Sequence, residues 1–185
     1  AKAITLLSDP DEDTRLVAFR SLPANSTDFI PYLTQLVDDP SPVVRRELIL
    51  STIGLPYERK KPLLESLIRN FDPRDRWYLE AVGSAVDGNE DDFIKVVEEI
   101  YNPIKQSPAH WSHQMESLVW RLHPSTYVRN LRVRAGAESV DSIQRKRAIT
   151  AHAFINTKDA ANVMMELANS QNKMVEGDAR YRLSL

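Results

Sequence analysis

The dipeptide Asp-Pro stands at residues 9–10, 39–40 and 72–73, each time ahead of an apolar stretch with helical spacing. The three copies lie 30 and then 33 residues apart. Self-similarity at a period of roughly 20–50 residues marks a repeat architecture, in which one unit cannot bury its own apolar face and neighbours must stack. That single constraint removes most folds from consideration before any residue is examined for chemistry.

Laid over one another, the stretches read DPDEDTRLVAFRSL (9–22), DPSPVVRRELILST (39–52) and DPRDRWYLEAVGSA (72–85). Asp9, Asp39 and Asp72 suit a turn or helix N-cap, since their carboxylates can accept the unpaired amides of the following helix. Proline fixes φ and costs no hydrogen bond near a helix start. The apolar positions then fall on one face: Val44, Leu48, Ile49, Thr52 and Ile53 in the second copy, Tyr78, Ala81, Val82 and Ala85 in the third. That i, i+3, i+4, i+7 spacing is helical. A shorter amphipathic run precedes the second and third turns, made of Phe29, Ile30, Tyr32, Leu33, Leu36 and Val37, then Leu63, Leu64, Leu67 and Ile68. Each unit is predicted to be helix, Asp-Pro turn, helix. The pattern resembles the HEAT repeat, whose second helix commonly carries an arginine six residues after the turn aspartate. Arg15 and Arg45 stand at that place, whereas the third copy has Tyr78 there and Arg76 two residues earlier.

Residues 93–183 keep the helix-pair rhythm without the Asp-Pro motif. Phe93, Ile94, Val96, Val97 and Ile100 form one run, and Met115, Leu118, Val119 and Leu122 its partner. Val128 and Leu131 open a fifth unit completed by Ile143, Ala148, Ala151 and Ile155. Ala160, Val163, Met164 and Leu167 begin a sixth, whose second helix is expected from near Val175 through Ala179, Tyr181 and Leu183. No run alternates with period two for long enough to make a strand, and 5 glycines leave little hairpin chemistry. The expectation is an all-α chain, an α-α superhelix of the HEAT/armadillo-like solenoid type with about five to six helix pairs. With 185 residues, 42% of them hydrophobic, it can form one elongated domain over residues 1–185. Without an initiator Met, and with a half-repeat at each end, it reads as an excised fragment of a longer multidomain protein. No stretch approaches the ~20 apolar residues that cross a bilayer, so no membrane insertion is expected. The absence of cysteine removes disulfide and thiolate chemistry but fits either redox compartment.

Candidate chemical sites are few. In residues 87–98, Asp87, Asn89, Asp91, Ile94 and Glu98 copy most of a calcium-binding EF-hand loop, but the sixth position is Asp92 where the sharp turn requires glycine. Phe93, Ile94, Val97 and Ile100 are already at helical spacing, so an acidic helix start is expected there and no calcium site. His110 and His113 could share a helical face with Glu116, but three ligands within one turn leave little room for tetrahedral closure. His123 and His152 stand alone. There is no glycine-rich phosphate loop, serine elbow or HExxH motif. No catalytic residue, metal ligand, cofactor or small-molecule substrate is therefore expected. The aromatics Trp77, Tyr78 and Trp120 read as packing residues, with Trp77 and Tyr78 pointing to different faces.

Charge is unevenly placed. Residues 1–103 carry a net −7 and residues 104–185 a net +5. The excess gathers at Arg129, Arg132 and Arg134, then at Arg145, Lys146 and Arg147; such a run usually makes a solvated helix face, and the functional reading is a docking surface for an acidic partner or nucleic acid.

Two segments go beyond generic repeat character. DPRDRWYLEAVG (72–83), with its core Asp75-Arg76-Trp77-Tyr78-Leu79-Glu80, and LVWRLHP (118–124) resemble the helical segment of large secreted bacterial proteins labelled membrane-bound dehydrogenases. RKRAITAHAFI (145–155) and the end near Ala179 extend the resemblance loosely over most of the chain. In that family a β-propeller precedes the helical array and a c-type cytochrome domain follows it. The resemblance implies a non-catalytic scaffold or spacer in an extracytoplasmic, redox-linked protein, contacting adjoining domains or a partner protein. The haem-attachment pattern Cys-x-x-Cys-His and propeller strands are absent here, so any redox activity would lie outside this segment. The alternative is a nucleic-acid-binding solenoid using the basic C-terminal half, which a pI near 6.1 disfavours.

Overall fold

The computed structural model describes residues 2–22 and 30–185. Among these residues every regular element is helical, and the chain divides into a unit of residues 1–87 and a unit of residues 88–185. The fold class is all-α, and each unit stacks three helical pairs in the manner of an α-solenoid.

The first unit contains α1 (Lys2–Leu6), α2 (Glu12–Arg20), α3 (Ile30–Leu36), α4 (Pro42–Ser51), α5 (Tyr57–Ile68) and α6 (Arg76–Ala85). Phe29, expected to open the run that became α3, lies outside the described residues. The second helices form one layer, with α4 packed between α2 and α6. Val44, Leu48, Ile49, Leu64, Leu67, Ile68, Tyr78 and Val82 are buried between the pairs. Ile53 departs from the expected core face and is exposed, because α4 ends at Ser51 and the chain turns through Gly54 at φ 87°.

The helix starts are set by side-chain caps that fall after the Asp-Pro pair. Asp11 accepts the Thr14 amide, Ser41 those of Val43 and Val44, and Asp75 that of Tyr78. Counted from these caps, the third and fourth helical positions are Thr14 and Arg15, Val44 and Arg45, Tyr78 and Leu79. The third turn is one residue longer. Leu79, not Tyr78, therefore takes the structural place of the two arginines, and Trp77 takes the outward place held by Asp13 and Val43.

The second unit contains α7 (Glu90–Tyr101), α8 (His113–Leu122), α9 (Val128–Gly136), α10 (Ser142–Phe154), α11 (Lys158–Leu167) and α12 (Lys173–Leu183). Here α10 packs against both α8 and α12, and α9 against α11, so two helical layers lie back to back. Phe93, Ile94, Val97, Met115, Leu118, Val119, Leu131, Ile149, Ala151 and Ala179 fill the space between them. Asp141, Thr157 and Asn172 cap α10, α11 and α12, and His123 ends α8 in the left-handed region at φ 48°. Ile143, Tyr181 and Leu183, expected inward, are exposed. The α10 stripe is set by Ala148, Ile149, Ala151 and His152, and Ile143 falls outside its arc.

Candidate functional site

The three turn aspartates share one local geometry. Each accepts, through Oδ1, the amide two residues on: Asp11 at 2.9 Å for Asp9, Ser41 at 2.8 Å for Asp39, Arg74 at 2.9 Å for Asp72. They are thus turn formers, and the N-cap role falls to Asp11, Ser41 and Asp75. The arginines fold back over their own turns. Arg15 Nη1 donates to the carbonyls of Asp9 and Pro10, and Arg45 Nη1 to those of Asp39 and Pro40.

The next turn is reached differently in the two repeats. Arg15 forms a two-pronged pair with Asp39, with Nε–Oδ2 at 2.7 Å and Nη2–Oδ1 at 2.8 Å, and the side chains are 9% and 2% exposed. The hydrogen bonds that Arg15 donates to Asp39 raise the Arg15 pKa further. Arg45 meets no carboxylate among the described residues. Its Nη2 reaches only the Asn70 carbonyl at 3.4 Å, its Nε is buried without a hydrogen-bond partner, and its guanidinium lies 6.0 Å from the Tyr78 ring centre. Of these two arginines, Arg15 alone makes an ionic link to the following turn, and that link is buried. Asp72 pairs instead with Arg74 at the surface, and this bond holds its carboxyl below the ordinary range.

Trp77 is the residue that sequence reasoning misjudged most. Tyr78 is buried and its hydroxyl donates to the Leu67 carbonyl at 2.7 Å, whereas Trp77 is 72% exposed. It lines a groove of about 300 Å³ between α4 and α6 with Arg46, Leu50, Glu80 and Ser84. Leu50 on α4 and Val17 on α2 are exposed on the same layer of helices. Arg20 and Glu47 tie α2 to α4 through bonds of 2.7 and 2.9 Å, and the Arg20 bond lowers the Glu47 pKa. The result is a ridge of apolar side chains braced by the Arg20–Glu47 ion pair. An extra residue in a turn, read against the caps of the earlier copies, is the signal that could have placed Trp77 outside.

The six basic residues of the second unit do not form one surface. Arg134 is buried, contrary to expectation: it lies 3.3 Å from Glu116, donates to Gln144 Oε1 at 2.7 Å and to the Pro108 carbonyl, and covers the Trp111 ring at 5.6 Å. Arg147 lies 3.4 Å from the same Glu116 and 5.0 Å above the Trp120 ring. Lys146 faces Asp178 on α12 at 3.3 Å. Arg145 is half-buried, with its Nε enclosed and unbonded. Arg132 pairs with Glu166 on α11, and Arg129 and Arg132 line a groove of about 490 Å³ beside Val133, Asp159 and Asn162. Arg129 and Arg132 thus belong to the α9–α11 layer, Arg134 is enclosed against α8 and α10, and Lys146 and Arg147 belong to the α8–α10–α12 layer.

The acidic segment is helical from Glu90 onward, so residues 87–98 do not form a calcium loop. Asp91 instead accepts from the Ser125 hydroxyl, the Thr126 amide at 3.0 Å and the Thr126 hydroxyl at 3.1 Å. Burial pushes its carboxyl upward, but these bonds outweigh burial and leave it below the ordinary value. Glu116, considered with His110 and His113, is buried between two arginines and turned to them. His152 is also buried, with Nδ1 2.8 Å from the Ala148 carbonyl and Nε2 3.0 Å from the Val128 carbonyl. Burial lowers its pKa despite both contacts.

A family model described as HEAT repeats matches residues 1–83. Among solved structures, a designed armadillo repeat protein is similar at 16% identity and a TM-score of 0.43, covering 99% of this chain and 98% of that one. No curated protein matches the chain. Residues 1–83, the stretch that carries the Asp-Pro turns and the Arg15–Asp39 pair, are thus similar to HEAT repeats.

Proposed function

We propose that this chain is a non-catalytic HEAT-like scaffold that presents the α2–α4–α6 ridge to an adjoining domain or partner protein. The observation that carries the reading is Trp77, 72% exposed beside an open groove on a braced helical layer. Exposed tryptophan is costly in water and is over-represented among the residues that dominate protein interfaces. The parent protein is extracytoplasmic and redox-linked in this reading, supported by the resemblance of Asp75–Glu80 to the helical segment of secreted dehydrogenase-like proteins. Fractionation of the source cells, with the parent found in the cytoplasm, would remove that part alone.

The binding test is calorimetric titration of the chain with the segments that flank it in its parent protein. Trp77→Ala should weaken the complex at least about tenfold. Unchanged affinity would reject the ridge. The nucleic-acid alternative draws no support from cations divided between two layers and mostly matched by acids. Retardation of duplex DNA at physiological salt would revive it.

A further inference from the structure

Arg45 is a buried cation that faces no anion among the described residues. It is 9% exposed, its Nε has no acceptor, and its only contact with the next turn is a 3.4 Å bond to the Asn70 carbonyl. One repeat earlier, Arg15 does the same work over its own turn with Nη1 and also clasps Asp39 through Nε and Nη2. A buried guanidinium without a counter-charge is a costly arrangement, and the turn that Arg45 already touches carries a carboxylate two residues further on.

That carboxylate is Asp72. It lies two residues beyond Asn70, which Arg45 already touches, and it sits in the same turn geometry as Asp39, with the amide two residues on bonded to Oδ1. The two turns differ in which guanidinium docks on the remaining edge. Asp39 receives Arg15 from the preceding repeat, whereas Asp72 is clasped from within its own turn by Arg74, with Nη2–Oδ2 at 2.9 Å and side chains 89% and 48% exposed. An exposed pair of this kind is weak, screened by solvent and readily broken.

We propose that Asp72 is an exchangeable carboxylate, held at the surface by Arg74 and transferred to Arg45 when Arg74 is withdrawn, so that the second junction between repeats closes as the first one is closed. The junction between α4 and α6 is then a lock with an open and a closed position, and α6 is the helix that carries Trp77.

The test is a double-mutant cycle between Arg45→Met and Asp72→Asn, followed by urea denaturation, in the unaltered chain and again with Arg74→Ala. Asparagine keeps the turn bond to residue 74, so the cycle isolates the charge. The expected result is coupling below about threefold in the folding constant with Arg74 present and about tenfold or more without it. No coupling in either background overturns the proposal, and so does equal strong coupling in both, which would mean a permanently closed lock. If Arg45→Met does not fold, the Arg45 Nε–H resonance serves instead. It should move on Arg74→Ala and return when Asp72→Asn is added; a resonance indifferent to Asp72 rejects the exchange.

Discussion

Arg15 and Arg45 stand at one place in the repeat and fold over their turns in the same way, yet their neighbours make them energetically unlike. Truncating Arg15 to alanine leaves the Asp39 carboxylate buried without a partner, and removing one member of such a pair costs about 3–5 kcal/mol. Arg45→Ala leaves only carbonyl oxygens behind and should cost less than Arg15→Ala, while Leu48→Ala should cost about 2–5 kcal/mol as a core truncation. Urea denaturation of the three variants checks the order; Arg45→Ala matching Arg15→Ala would contradict it. His152 sets a second expectation at this scale. Its folded pKa lies below the unfolded value of about 6.5, so the unfolded chain takes up the proton first. Its contribution is fully present above that pH and is lost as pH falls below it, by at most about 1.4 kcal/mol per pH unit. Asp11, Glu47 and Asp72 are depressed by bonds from Thr14, Arg20 and Arg74, and they lose their contributions only as pH falls through and below the ordinary carboxylate range. Between pH 7 and 5 the urea midpoint should therefore fall, and His152→Gln should flatten that fall. The aspartates, prolines and arginines of the turns were legible in the sequence because each type has one main conformational use. The acid each arginine would meet was not, since that depends on the length of the following turn. Arg134 was misplaced for a related reason: a charge run gives no sign that one member will be enclosed by Glu116, Gln144 and Trp111.

The helices themselves followed from periodicity, because a stripe at i, i+3, i+4 and i+7 has no stable alternative to burial on one face. What periodicity could not give is where a stripe stops. Ile53 lies past the end of α4, and Ile143 lies at the edge of the α10 stripe, so both are exposed although their residue type suggests otherwise. Trp77 and Tyr78 divide surface from core within a single step of α6. Trp77→Ala should leave stability within about 0.5 kcal/mol of the parent, as an exposed substitution does. Tyr78→Phe, which removes the bond to the Leu67 carbonyl, should cost about 1 kcal/mol. Thermal melts of the two variants decide the matter, and a destabilised Trp77→Ala would mean that the ring packs where it now stands open. At the start of α7 the carboxylates serve the protein internally. Asp91→Ala should cost about 1–2 kcal/mol through loss of its bonds to Ser125 and Thr126. Calcium titration should give no saturable heat, and micromolar binding abolished by Glu98→Gln would contradict the helical start at Glu90.

The molecule comprises two units, each with its own buried residues and its own ionic arrangement. In the second unit Glu116 holds Arg134 and Arg147 and thereby joins α8, α9 and α10. Glu116→Ala should cost about 3–5 kcal/mol, since it strands Arg134 in the interior. Residues 88–185 expressed alone should give a cooperative helical melt that this substitution lowers sharply; a gradual melt would show that the unit is not self-sufficient. The turn lengths described above carry a further consequence. The third turn places one more residue between its aspartate and its cap, so places counted from the Asp-Pro pair fall out of step with places counted from the cap. Counted from the cap, Trp77 holds the second helical position, as Asp13 and Val43 do, and that position faces outward. Outward display of an indole is thus fixed by its distance from the capping residue. A lineage, or an engineer, would change which side chain a repeat shows by moving the cap along the sequence, not by lengthening the turn ahead of it.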